Sequence, residues 1–208
     1  MRDNFEGDTE KVSPFYLQFS SICDIIIIVK IKEHIQQTFL YCKFKKNGGI
    51  NNMQFKIIQH DLLKMPKEYV MAHNIDSGET AMGAGVALAF CKTFPSLRGH
   101  CKLYASEHNH QVGLTCRYVS LDDRVVYNMF TKPHVWKSAA RGMTKEEYHT
   151  NQRNCLEHLK SQMIENGETK LAMPKIACGL DRCEWEDIEA IIKDVFKDTD
   201  FEIVICVL

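Results

Sequence analysis

What this sequence of 208 residues lacks narrows its class before any motif is read. It has almost no net charge, because 26 Lys plus Arg set against 27 Asp plus Glu leave −1 at neutral pH. A chain so balanced carries no global field for gripping a phosphate backbone or an anionic membrane, so any nucleic acid would be held locally. Proline and glycine are sparse, at 5 and 11 residues. With ordinary aromatic content, that excludes a collagen-like chain and argues against extensive disorder. Long apolar runs are also missing. The run at 25–29 falls far short of the roughly 20 apolar residues that a helix needs to cross a bilayer core. A looser stretch at 14–31 is interrupted by Gln18, Asp24 and Lys30 and has no small-residue cleavage site, so no membrane partner is expected. The nine cysteines are odd in number, without a CxxC pair or regular spacing. Neither a disulfide framework nor a zinc cage is indicated, and the expected compartment is reducing, cytosol or nucleus.

This length makes one domain with at most a short appendage, and a monomer is expected. Residues 1–52 differ from the rest: a polar start, the apolar run, a basic knot at Lys43, Lys45 and Lys46, then Gly48-Gly49 and Asn51-Asn52 as a boundary signal. They are read as an N-terminal extension of unknown structure, leaving 53–208 as the domain.

Within 53–208, short strand-like segments alternate with helical ones, the pattern of an α/β layer fold. Strands are predicted at 53–58, 69–72 and 171–173, and a hairpin at 112–119 and 124–131 around Leu121-Asp122-Asp123. A helix with a glycine-rich first turn is predicted from Gly83 to Phe90. Thr144 and Glu147 form a capping box before apolar positions Cys155, Leu156, Leu159, Met163 and Ile164 at helical spacing, and Gly167 stands as the C′ glycine. A further helix is predicted over 184–196, with Ile188, Ile191, Ile192 and Val195 inward. The stretch 201–208 is almost wholly apolar and reads as a strand covered on both faces.

Two glycine-bearing strand-to-helix junctions are candidate ligand loops: Met82-Gly83-Ala84-Gly85-Val86 and Ala177-Cys178-Gly179-Leu180-Asp181. Both would lie at carboxyl ends of strands, where open α/β sheets bind ligands, and paired loops of this kind can hold a diphosphate through backbone N–H groups and helix N-termini. The plain alternative is ordinary turn chemistry, since the third glycine of a dinucleotide fingerprint is missing. Lys132, in Thr131-Lys132-Pro133-His134, is either a solvated charge or an amine able to attack an aldehyde-like carbon. Asp181 is either a helix cap or an acid/base partner for that amine. Asn74, after His73, braces the first loop or binds sugar hydroxyls. Asp61, after His60, caps a turn or accepts from an amino group. His134 and Trp136 either wall the reacting sugar or pack the loop.

Four stretches together resemble the macrodomain family, in its branch of ADP-ribose protein glycohydrolases and O-acetyl-ADP-ribose deacetylases. They are Gln59-His60-Asp61-Leu62; Ala72-His73-Asn74 with Met82-Gly83-Ala84-Gly85-Val86; Tyr127-Asn128 with Thr131-Lys132; and the block from Ala172 through Asp181 with Glu184-Trp185. A weaker likeness to DNA-ADP-ribosyl-glycohydrolase antitoxins runs through Met82-Gly83, Thr131-Lys132 and His134. The resemblance implies a three-layer α/β/α sandwich on a mixed six-stranded sheet and ADP-ribose as ligand, with ADP-ribosylated protein as partner. By motif, Asp61 and Leu62 would meet adenine, Asn74 the distal ribose, and Met82, Gly83, Ala84, Gly85, Val86, Thr131, Cys178, Gly179 and Leu180 the diphosphate and riboses. Lys132 would attack the distal ribose and Asp181 would assist, so the resemblance implies no metal and no cofactor. Departures from the family pattern are one extra residue in 76–80, Pro133 after the lysine, and Cys206 where an aromatic can stand.

The implied activity is hydrolytic removal of ADP-ribose from glutamate or aspartate side chains, with O-acetyl-ADP-ribose deacylation as companion. A non-catalytic ADP-ribose reader, a hydrolase acting on ADP-ribosylated DNA, and ADP-ribose 1″-phosphate as substrate remain open alternatives. For DNA, Lys132, Lys137, Arg141 and Lys145 are the one suggestive basic cluster.

Overall fold

The computed structural model describes residues 53–208; the expected extension over 1–52, with its apolar run and two of the cysteines, lies outside the described residues. The strands are β1 (Gln54–Gln59), β2 (Val70–Asp76), β3 (Thr115–Val119), β4 (Val125–Lys132), β5 (Lys170–Pro174) and β6 (Glu202–Val207). They form one six-stranded sheet in the order β1-β6-β5-β2-β4-β3. Every neighbouring pair is parallel except β3 with β4. The sheet is therefore mixed, and the carboxyl ends of five strands line one edge.

Four helices cover it: α1 (Gly85–Thr93), α2 (Leu97–Glu107), α3 (Lys145–Asn166) and α4 (Trp185–Phe196). Residue alternation along the strands sorts side chains between two cores. On one face Leu156 and Leu159 of α3 and Ile188 and Ile192 of α4 pack with Tyr127, Met129, Met173, Ile203 and Ile205. On the other, Phe90 of α1 and Leu97 and Cys101 of α2 pack with Met71, Ile75, Val126, Phe130 and Val204. The result is the expected α/β/α three-layer sandwich. The four central residues of β6 are buried, as the apolar stretch at 201–208 predicts for a strand flanked by two others.

Some boundaries differ from the sequence reading. β2 runs on to Asp76 because the polar His73 and Asn74 both find buried partners: His73 Nε2 lies 2.8 Å from Asn128 Oδ1, and Asn74 Nδ2 donates to Gln152 at 2.6 Å. Paired in this way, polar residues cost a strand little. The hairpin forms, but β3 begins only at Thr115. α1 begins at Gly85, not Gly83, since Met82 takes a left-handed φ of 47° and Ala84 is extended. α2 was not anticipated. Its buried side is only Leu97, Cys101 and Ala105, one leucine and two small side chains against a polar remainder.

Connections set the ligand edge. From β2 the chain passes to α1 on one face, whereas from its sheet neighbour β5 it passes to α4 on the other. Adjacent strands whose outgoing loops part in this way open a crevice at their carboxyl ends.

Candidate active site

The loop leaving β2 is built by its own side chains. The Asp76 carboxylate accepts from the N–H groups of Glu79 at 2.9 Å and Thr80 at 2.8 Å, folding the chain back. Backbone pairing continues past a bulge at Ile75/Asp76, with Ser77 N–H donating to Lys132 O at 2.9 Å and Gly78 N–H to Pro133 O at 2.8 Å. A Cβ on Gly78 would sit 2.6 Å from His134 Nδ1 and run into the Pro133 carbonyl, so only glycine lets the two loops approach. Thr80 and Met82 both hold left-handed φ values, 46° and 47°, which lifts Met82, Gly83 and Ala84 over the crevice.

On the facing side, β4 ends in Thr131 and Lys132, and the loop from β5 to α4 carries Asp181. Lys132 and Asp181 are 49 residues apart in the chain, yet Lys132 Nζ lies 2.5 Å from Asp181 Oδ1. Both side chains are buried, at 10% and 6% exposure. The other Asp181 oxygen, Oδ2, accepts from the Tyr148 hydroxyl at 2.6 Å. Tyr148, on α3, in turn touches Asn74 Nδ2 at 3.2 Å and Thr131 Oγ1 at 3.3 Å. Burial first, and then the Asp181 carboxylate, hold the Tyr148 phenol well above its usual range, so it stays protonated and donates.

Of these groups Lys132 and Asn74 border a cavity of about 280 Å³. Of the residues singled out from sequence, Asn74, Met82, Gly83, Ala84, Lys132 and Leu180 line it. Asp76 and Val135 line it as well, neither of them among the expected site residues, and so does Arg141, which sequence reasoning had named only in the basic cluster suggestive of DNA. Asn74 Oδ1 is buried at this wall without a partner, an acceptor left available. Asp181 and Tyr148 do not line it and stand behind Lys132 and Asn74, which they contact.

Other expected residues lie elsewhere on the same edge. Asp61 follows β1 and caps a short 3-10 turn, accepting from Leu63 N–H at 3.0 Å. Leu62 is buried in the core beneath α1 and α2. Asp61 lies near enough to Cys206 of β6 to add to the effect of burial in raising that thiol. Gly85 and Val86 form the first turn of α1. Cys178 is half-buried with its Sγ 3.3 Å from Ile176 O, and Gly179 O accepts from Arg182 N–H at 3.2 Å, tightening the Asp181 loop. His134 stacks on Trp136 at 4.6 Å, and Trp136 is exposed.

Tyr148 and Gln152 were missed by sequence reasoning. They continue the buried stripe of α3 at i and i+4 ahead of Cys155 and Leu159. The legible signal was Gln152, an amide on a stripe that otherwise wants apolar side chains. Among the described residues no group of three or more His, Cys, Asp or Glu is placed to hold a metal ion.

An α/β/α sandwich with a paired lysine and aspartate beneath a glycine loop at the parting of two parallel strands defines an α/β domain with a candidate ligand crevice at the carboxyl edge of its sheet. Its family follows from comparison: the Macro domain family model matches residues 74–192, and the chain belongs to that family. ADP-ribose glycohydrolase OARD1 of Homo sapiens is 36% identical over 151 residues, covering 73% of this chain and 90% of that protein. An ADP-ribose 1″-phosphate phosphatase of Meyerozyma guilliermondii is 32% identical over 135 residues, covering 53% of this chain and 75% of that protein. Among solved structures, the macrodomain of Mycobacterium tuberculosis DarG superposes with a TM-score of 0.63 at 22% identity, covering 74% of this chain and 98% of that one.

Proposed function

We propose that the protein is an ADP-ribose hydrolase that frees ADP-ribose from glutamate or aspartate side chains, with O-acetyl-ADP-ribose as a second ester substrate. The observation that carries this reading is the buried Lys132–Asp181 pair, 2.5 Å apart, whose lysine lines the cavity. A module that only bound ADP-ribose would need neither group. The glycohydrolase name carried by the relative at 36% identity supports the same class of reaction.

The chemistry follows from the pair. Transfer of one Nζ proton from Lys132 to Asp181 leaves a neutral amine whose lone pair attacks C1″ of the distal ribose. The acidic side chain leaves as a carboxylate with the C1″–O bonding pair, and the proton the amine sheds on bonding goes to solvent. Asp181 then gives its proton to the ring oxygen as the C1″–O4″ bond breaks, leaving a protonated Schiff base on Lys132. Water adds to C1″ with Asp181 taking its proton, the C1″–N bond breaks, and the pair is restored as ADP-ribose departs. In this reading Asn74 Oδ1 accepts from a ribose hydroxyl, and Gly83 and Ala84 approach the diphosphate through their backbone.

A second reading, hydrolysis of ADP-ribose 1″-phosphate, is favoured by the relatives named as phosphatases for that compound. The test places purified protein with a glutamate-linked ADP-ribosylated protein, with ADP-ribose 1″-phosphate and with a single-stranded ADP-ribosylated oligonucleotide, and follows free ADP-ribose. Release from the protein conjugate, lost in Lys132→Ala and Asp181→Ala while ADP-ribose still binds, is the expected result. Full turnover by Lys132→Ala would sink the lysine mechanism, and release from the phosphate alone would put the second reading first. The same view sets the protein in a reducing compartment, cytosol or nucleus, supported by seven cysteines between Cys91 and Cys206 that are all free thiols.

A further inference from the structure

Behind the cavity wall formed by Asn74 and Lys132 lies more polar machinery than a lysine–aspartate pair needs. We infer that Tyr148 is a positioning residue: its hydroxyl donates a hydrogen bond to Asp181 Oδ2, so that Oδ1 alone faces Lys132 and exchanges the proton during turnover. This rests on the Lys132–Asp181 reading above.

Counting hydrogen-bond capacity fixes where the phenol proton goes. A tyrosine hydroxyl has one proton to give and two lone pairs to accept with. Its three neighbours are Asp181 Oδ2 at 2.6 Å, Asn74 Nδ2 at 3.2 Å and Thr131 Oγ1 at 3.3 Å. The amide nitrogen can only donate, and the carboxylate only accepts. The proton therefore points at Oδ2, and the lone pairs receive Asn74 and the Thr131 hydroxyl. Tyr148 is 0% exposed, so no water competes for any of these positions.

The amide of Asn74 is oriented in the same way. Its second N–H goes to Gln152 Oε1 at 2.6 Å, which turns its Oδ1 to the cavity wall. A ribose hydroxyl bound there polarises the amide, strengthens the Asn74 donation to Tyr148, and so strengthens the phenol as a donor to Asp181. Occupancy of the sugar site is thereby felt at the carboxylate. Other charged or titratable groups near Asp181 include Lys132 from β4, in contact with it, and Arg182 and Cys183 on its own loop, while Arg141 and Asp76 line the cavity with Lys132.

A bond from a buried donor favours the carboxylate over the acid, so its loss makes Asp181 more basic. The test compares wild type, Tyr148→Phe and a protein carrying 3-fluorotyrosine at position 148, whose hydroxyl is more acidic but whose shape is nearly kept. Two quantities are read: the pH midpoint of the Asp181 carboxyl carbon by ¹³C NMR, and the pH dependence of kcat and KM on the glutamate-linked substrate. For Tyr148→Phe the expected result is a kcat roughly 10- to 100-fold lower with KM changed less than about 3-fold, and an Asp181 midpoint and acid limb both moved to higher pH. Fluorotyrosine is expected to move the midpoint the opposite way. A purely structural tyrosine would not produce opposed shifts, so an unchanged midpoint in the fluorotyrosine protein overturns the inference even if Tyr148→Phe fails to fold. The NMR midpoint needs no turnover. Absence of activity in wild type would therefore count against the proposed reaction, while the role of Tyr148 is still decided.

Discussion

At the scale of single residues, His73 shows how a buried polar group in β2 is tolerated and what it costs. The ring is 1% exposed, stacks on Phe90 at 4.4 Å and lies 2.8 Å from Asn128 Oδ1. Burial drives its pKa down to about 4, against the weaker opposing effect of Asn128, so the ring is neutral at pH 7 with Nε2 as donor. The unfolded chain, with an ordinary histidine near 6.5, takes up the proton first as pH falls. Stability from this residue is therefore whole above about pH 6.5 and lost progressively toward pH 4, on the order of 3 kcal/mol in total. Urea midpoints at about pH 7 and about pH 5 should differ by less in His73→Gln than in wild type. An equal drop in both would show that His73 carries no proton linkage, leaving the half-buried His158, whose pKa is also lowered by burial, as the next source. Lys132 and Asp181 were legible as candidates because each closes a motif, but their contact was not, since 49 residues of chain divide them and only the sheet brings them together. Tyr148 was not legible at all: on an amphipathic helix a tyrosine reads as one more core side chain, and its hydroxyl acquires meaning only from what stands opposite.

At the scale of elements, α3 was the most readable part of the chain. Both ends form as the sequence predicts, with Thr144 Oγ1 accepting from Glu147 N–H at 3.1 Å and Gly167 in the left-handed conformation at φ 68°. The Thr144 cap lies one turn before Tyr148, whose N–H donates to Thr144 O at 3.0 Å. Thr144→Ala is expected to lower stability by about 1 kcal/mol and to speed hydrogen exchange at the first-turn amides. Loss of the full global stability instead would mean that the cap also holds the loop before it. α2 escaped notice because beyond Leu97 its burial rests on small side chains, and the carboxyl half of β2 escaped because its polarity is balanced across the sheet by Asn128 and α3. Periodicity reports on apolar patterning, and both elements are stabilised by other means.

At the scale of the whole molecule, the alternation of strands and helices made the layered class readable, whereas the strand order was not. Nothing local tells β1 that its partner is β6, although every β1 residue from Gln54 to Gln59 is paired with it in parallel register. Among the described strands β1 has no other sheet neighbour. A chain cut before Glu202 is therefore expected to lose cooperative unfolding, with β1 amides exchanging freely, and retained protection in β1 would show a pairing other than the one described. That pairing also has a consequence for how the protein is made. β1 emerges from the ribosome long before β6, with its backbone groups unmatched, and must stay clear of other open strand edges until synthesis reaches Glu202. The crevice is thus a product of late assembly, and a nascent chain that already displays Lys132 and Asp181 still lacks the finished sheet that holds them face to face.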